Sequence, residues 1–276
     1  MEPGAAPASP AFQCGMADSS VSLQIDAQGI ATVRIDRPER RNALSMAANE
    51  QLFDCWERID ADPAVRVAIL TSADCGTFCA GMDLKEAAQV RAERGVDILD
   101  LLRDPMFERM RRVRAPVIAA MTGHFMAGGM VLALNADLRV GLAGTSGGIT
   151  EVRVGRGSPW AVPLLWMMPQ PLLMEMVLTG APVAIERLHQ AGLINHVEPD
   201  AAAVRARARQ LVEAITQGAP LSVAAGKASL LAAMSLGCEP GLAHAKALYR
   251  AVYASADAQE GPRAFAEKRA PRWRGC

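Results

Sequence analysis

The sequence is poor in aromatic side chains, at 4% of 276 residues, and it lacks net charge, with 29 basic residues against 29 acidic ones. A balanced charge gives no field for drawing in nucleic acid or an anionic membrane surface, so neither is expected as a partner. Cysteine is scattered. Cys14, Cys55, Cys75, Cys79, Cys238 and Cys276 share no repeated spacing, and no second Cys/His pair joins Cys75 and Cys79 to make a zinc site. Reduced thiols in a cytoplasmic protein, and no metal site, are the expectation. The opening MEPGAAPASPAF lacks the basic stretch and apolar core of a signal peptide and reads as a disordered tail over residues 1–18. One run, residues 115–134, is apolar enough to raise a membrane span. Gly123, His124, Gly128 and Gly129 interrupt it, and strand, turn and helix describe it better.

Apolar residues make up 51% of the chain, enough for a sizeable core. Val21–Ile25 and Ile30–Ile35 read as a hairpin around the turn at Asp26–Gly29. Ser45 is placed to cap a helix from Met46 to Asp60 with Leu52, Trp56 and Ile59 on one face. Residues 65–70 and 116–121 have the short apolar look of buried parallel strands, and 138–142 is a third. Residues 71–85 read as a loop, residue 84 onwards as helix, and 128–136 as another helix. Strand and helix alternate, which predicts an α/β fold with a parallel sheet over residues 19–200. From about residue 201 the sequence turns Ala-rich and amphipathic with no further strand, so 201–276 is expected to be a helical C-terminal region.

Two junctions share one design. FCAGMDLKE (residues 78–86) follows the first buried strand, and GHFMAGGMV (123–131) follows the second. In each, small residues free backbone N–H groups to point into a cleft beside a helix N-terminus. Two such groups converging on one oxygen form an oxyanion hole. A glycine pair alone is equally what tight helix–strand packing requires. Glu151, in GITEVRVG, has Ile149 and Val152 as apolar neighbours; partial burial there would raise its pKa and suit it to proton transfer. A solvated loop carboxylate is the plainer alternative.

Taken in series, RPERRNALS, DPAVRVAILT, FCAGMDLKE, PVIAAMTGHFMAGGMVLALNADLRV, ITEVRVG, MEMVLTG, AGLINHV and FAEKR resemble the crotonase, or enoyl-CoA hydratase/isomerase, superfamily over nearly the whole chain after the tail. The resemblance implies a spiral of ββα units and a C-terminal helical region that builds a homotrimer or a dimer of trimers. It implies an acyl-CoA thioester as substrate and no separate cofactor, coenzyme A being part of the substrate. The thioester carbonyl is expected on the backbone N–H groups of Met82 and Gly128, with Ala80, Asp83, Leu84, Gly129, Val131, Ser158 and Trp160 around the bound thioester. Asp83 is expected to cap or brace the helix after it. Arg37 and Arg41, with Lys268 from FAEKR, are expected near the CoA phosphates; solvated surface charge is the alternative for each arginine.

Of the two glutamates used by family hydratases, the second maps to Glu151 and the first to Val131. Pro159 stands where some members carry a further acid, which counts against the dienoyl isomerase and hydroxyacyl-CoA hydrolase branches. With one carboxylate, double-bond isomerisation is the favoured expectation. An atypical hydratase or hydratase-lyase comes second, and a non-catalytic acyl-CoA-binding scaffold is the alternative of another class.

Overall fold

The computed structural model describes residues 20–276; the tail expected at residues 1–18 lies outside them. β1 (Val21–Ile25) and β2 (Ile30–Ile35) form the hairpin, antiparallel, with the Asp26 carboxylate accepting from the Gln28 and Ile30 N–H groups. Ser45 caps α1 (Met46–Ala61) through its hydroxyl, which accepts from Ala48 N at 3.1 Å, and Leu52, Trp56 and Ile59 are buried on one face. One unit then recurs: a long strand, a short strand and a helical segment. β3 (Val67–Ser72) leads to β4 (Thr77–Cys79) and α2 (Leu84–Arg94). After the short α3 (Glu108–Arg112), β5 (Val117–Met121) leads to β6 (His124–Met126) and α4 (Gly128–Asn135). β7 (Leu138–Leu142) leads to β8 (Ser146–Gly148), two 3-10 turns and α5 (Gln170–Thr179). β9 (Val183–Ala184), α6 (Ile185–Gln190) and β10 (His196–Glu198) follow. The chain ends in α7 (Ala201–Thr216), α8 (Pro220–Leu236), α9 (Cys238–Tyr253) and α10 (Ala256–Ala266).

The long strands form one sheet in the order β1-β2-β3-β5-β7-β10, parallel except for the hairpin. The short strands form a second sheet, β4-β6-β8-β9, whose first three are parallel. The α/β spiral implied by the resemblance is what the chain adopts. The second sheet has no signature in the sequence: its strands are two or three residues long, and β4 lies inside the stretch that reads as a loop. The strand expected at 65–70 begins two residues later. Val65 closes a turn onto Asp62 O, and Arg66 donates to the carbonyls of Thr216 and Gly218 at the end of α7.

The main core lies between the two sheets and the helices around them, and a second cluster covers the other face of the large sheet. In that cluster Val204, Ala208 and Val212 of α7 pack with Val67, Ile118, Ala120 and Val140. Thus α7 completes the sheet, and residue 200 marks where strands end rather than where one core ends. Among the described residues all five cysteines are free thiols.

Helix α8 is tied to the sheet edge by a largely buried ion pair. Lys227 of α8 meets Asp137 Oδ2 at 2.7 Å and donates to Ala115 O at 3.0 Å, while the same Asp137 oxygen accepts from Val117 N. Burial holds the lysine below its ordinary pKa, with the Asp137 charge opposing. Removing one partner of a buried pair strands the other, which costs about 3 kcal/mol or more. Lys227→Met is expected to lower unfolding free energy by about that amount in urea titrations, and Lys227→Met/Asp137→Asn to recover part of the loss.

Candidate active site

β4, β6 and β8 lie side by side and parallel, so their C-terminal ends open on one edge of the small sheet. Three residues past β4 comes Met82; two past β6 comes Gly128; three past β8 comes Glu151. All three line one cavity of about 340 Å³, walled also by Leu44, Asn49, Leu84, Ala127, Val131, Arg156, Trp160 and apolar side chains from residues 98–107.

The peptide geometry fixes where two N–H groups point. Gly81 O accepts from Leu44 N at 2.7 Å, and Asp83 N donates to Leu44 O at 2.9 Å. In a trans peptide N–H and C=O are antiparallel, so the Met82 N–H points away from Leu44. Ala127 O accepts from Met130 and Val131 N–H and so points into α4; the Gly128 N–H therefore points out of the helix N-terminus. The two loops touch. A β-carbon on Gly128 would lie 3.2 Å from Gly81 Cα, and one on Gly81 would lie 3.1 Å from Gly128 N. Ala127 turns this corner at φ 46° and ψ −114°, a conformation that is strained in any residue with a side chain. Gly129 serves packing instead. A β-carbon there would sit 2.3 Å from Cys79 O, so glycine is what lets α4 lie against β4.

Glu151 opens the 3-10 turn Glu151–Val154. Its Oε1 accepts from the Trp160 indole N–H at 3.0 Å, while Oε2 is buried without a partner. Burial raises its pKa, opposed by hydrogen bonds from its own and the Thr150 backbone N–H and from Trp160, and by the Arg156 charge. Arg156 is itself held in a two-pronged pair with Asp97, at 2.9 and 2.7 Å. Among the described residues no three His, Cys, Asp or Glu side chains gather as a metal site would require.

The sequence profile for enoyl-CoA hydratase/isomerase matches residues 26–276. The chain is 34% identical over 263 residues to an (E)-benzylidenesuccinyl-CoA hydratase of Thauera aromatica, covering 93% of this chain and 99% of that one. It is 34% identical over 266 residues to a carnitinyl-CoA dehydratase of Proteus mirabilis, covering 93% and 99%. The crystal structure of an enoyl-CoA hydratase from Mycobacterium marinum superposes with a TM-score of 0.84 at 34% identity, over 94% of this chain and all of that one. The chain belongs to the enoyl-CoA hydratase/isomerase family. It is an enzyme of a family that acts on CoA thioesters.

Within this family member, Met82, Gly128, Glu151, Ala80, Leu84, Val131 and Trp160 meet at the cavity. Val131, buried one helical turn beyond Gly128, puts two methyl groups on the cavity wall. Asp83 caps α2, accepting from Glu86 N, and pairs with Arg37 at 3.3 Å. Arg37 also donates to Ala43 O, so it braces the loop and does not line the cavity. Arg41 and Lys268 are exposed, both at positive φ, and lie off the cavity wall, as does half-buried Ser158. Trp166 lines a separate groove between α3, α8 and α9.

Sequence reasoning misses Asn49, the Arg156–Asp97 pair and the wall from residues 98–107. The wall gives no signal, being one short 3-10 turn (Ile98–Leu101) followed by irregular chain without clear periodicity.

The shifted carboxyl has a thermodynamic signature. A folded-state pKa raised above the unfolded value favours folding at low pH, and that contribution is lost as pH rises through the folded pKa. Glu151→Gln keeps the protonated shape at every pH. The variant is expected to match the parent in melting temperature near pH 4 and to exceed it at pH 8, by thermal unfolding at both values.

Proposed function

We propose that the cavity binds the acyl end of a CoA thioester with its carbonyl oxygen on the Met82 and Gly128 N–H groups, and that Glu151 moves the proton. The observation that carries this reading is the placement of two outward-pointing amides and one desolvated carboxylate on a single cavity wall. The α-proton of a thioester is only weakly acidic, and its removal places negative charge on the carbonyl oxygen. Fixed N–H donors aimed at that oxygen stabilise the enolate as it forms, each by about 3–4 kcal/mol. Desolvation brings the Glu151 pKa towards working pH, so the carboxylate accepts a proton more readily and returns it without a large penalty.

Among the described residues, Glu151 is the sole carboxylate on the cavity wall. One carboxylate suffices for a proton shift along the chain: Glu151 removes a C2 proton from a 3-enoyl-CoA, the amides hold the dienolate, and Glu151 returns the proton at C4. Δ3,Δ2-enoyl-CoA isomerisation is therefore the first reading. Hydration or dehydration is the second, favoured by relatives whose names are hydratase and dehydratase; there Glu151 would have to serve both water and the α-carbon. Exposed Leu230, Tyr253 and Phe265 on α8–α10 support self-association, in line with a trimer or a dimer of trimers.

Incubation in deuterated water with a 3-enoyl-CoA, and separately with a 2-enoyl-CoA, tests the reading by mass spectrometry. The expected outcome is a deuterated 2-enoyl product from the first, lost by about a hundredfold or more in Glu151→Gln. A 3-hydroxyacyl product from the second, without isomerisation of the first, would move the assignment to hydration. Tight CoA-thioester binding with no turnover on either substrate would leave only the scaffold.

A further inference from the structure

Two cations share the cavity wall with Glu151, and the fold treats them differently. Arg153 is exposed and donates to Thr179 O. Arg156 is half-buried, and its backbone N–H donates to Glu151 O at 2.9 Å across the left-handed Gly155. The two backbones are therefore one hydrogen bond apart, and both side chains belong to one wall. Burial raises the Glu151 pKa, and the Arg156 charge pulls against that rise. An uncompensated cation here would hold Glu151 ionised and make it a poorer base.

Asp97 supplies the compensation. Its Oδ2 and Oδ1 accept from the two terminal guanidinium nitrogens of Arg156 at 2.9 and 2.7 Å, a fork-to-fork geometry that fixes both partners. Asp97 comes from a different part of the chain. It caps the 3-10 turn Ile98–Leu101, accepting from Leu99 N at 3.0 Å, and Ile98 and Leu99 line the cavity. The Arg156 pairing and the Leu99 N–H hold Asp97 below the ordinary carboxylate range, so it is charged wherever Glu151 titrates. Other elements around Glu151 bring little free charge. Helix α4 and the turn Pro159–Trp166 carry no ionisable side chain. Helix α5, packed on the Glu151 turn, contributes Glu175, which is paired with Arg187. Arg91 of α2 acts on Asp97.

We propose that Asp97 is a positioning residue for the reaction: by gripping both terminal guanidinium nitrogens it fixes Arg156 and offsets its charge, which leaves the Glu151 carboxyl free to take up a proton. The inference rests on the reading of Glu151 as the proton carrier. A clamp that served packing alone would behave differently. Once Asp97 had lost its charge, removing Arg156 as well would bring nothing back.

Asp97→Asn keeps an oxygen to cap Leu99 and removes the charge. Asp97→Asn/Arg156→Met then removes the cation left uncompensated. Each protein, labelled with 13C at the glutamate carboxyl carbons, is titrated by NMR, with Glu151→Gln assigning the Glu151 resonance. The Glu151 carboxyl is expected to titrate at lower pH in Asp97→Asn than in the parent, and at or above the parent's pH in the double variant. Turnover is followed from about pH 5 to 9 with 3-butenoyl-CoA and with crotonyl-CoA. On whichever the parent consumes, Asp97→Asn is expected to move the acid limb of kcat to lower pH. Its plateau is expected to fall about three- to tenfold, with KM within about twofold. The double variant is expected to recover the plateau to within about twofold of the parent. A Glu151 titration unmoved in Asp97→Asn, or a double variant as slow as the single one, would overturn the inference and leave the proton-carrier reading standing. A parent that consumes neither substrate would overturn that reading and the inference with it.

Discussion

The contact on which the site depends is that between Gly81 and Gly128. There is little room for a side chain there: a β-carbon on either would lie 3.1 or 3.2 Å from the other loop's backbone, and Gly81 also has a φ of 93°. That closeness brings together the loops that carry Met82 and Gly128, just past β4 and β6. The surroundings hold the contact from several directions. Leu44 pins one loop through both its backbone groups, and Asn42 ties the same region to the Ala73 and Thr77 carbonyls. Gly129 lets α4 close on β4, and strained Ala127 aims the Gly128 peptide. At the far end of α4, the buried Arg139 guanidinium donates to the Ala133 and Ala136 carbonyls and to Leu193 O. Helix α4 is apolar around its whole surface and is held by burial, so its first turn has little freedom to drift.

The electrostatics follow from the same packing. A carboxylate on an apolar wall is costly in its charged form, and here only the Trp160 indole, backbone donors and a shared arginine oppose that cost. Val131, on α4, adds apolar surface to the same cavity. The outcome is one desolvated carboxylate on a wall that also carries Met82 and Gly128, the arrangement on which the proposed enolate chemistry rests.

Much of this is legible in the sequence. Hairpin, caps and long strands follow from periodicity and from Ser45 and Asp83, whose side chains do cap α1 and α2. Met82, Gly128 and Glu151 stand out from two junctions and one glutamate, and the fold brings them to one cavity. Other features have no local signature. The small sheet is built from strands such as Ser146–Gly148, whose residues favour no strand, and it exists because the large sheet brings its parts together. The basic residues stand outside the cavity wall: Arg37 is engaged by Asp83 and Ala43, while Arg41 and Lys268 are exposed. Asn49 is invisible for a different reason: an Asn in an amphipathic helix reads as solvent-facing until packing shows it buried.

The central claim, that two backbone amides hold the thioester oxygen, has a direct spectroscopic measure. A saturated acyl-CoA labelled with 13C at the thioester carbonyl, bound to the intact protein, isolates one stretching band in difference infrared spectra. Two hydrogen bonds to the oxygen weaken the C=O bond, so the band is predicted to move to lower wavenumber than in water and to narrow as the carbonyl is fixed. A bound ligand whose carbonyl band stays at its position in water, or moves to higher wavenumber, would contradict the account.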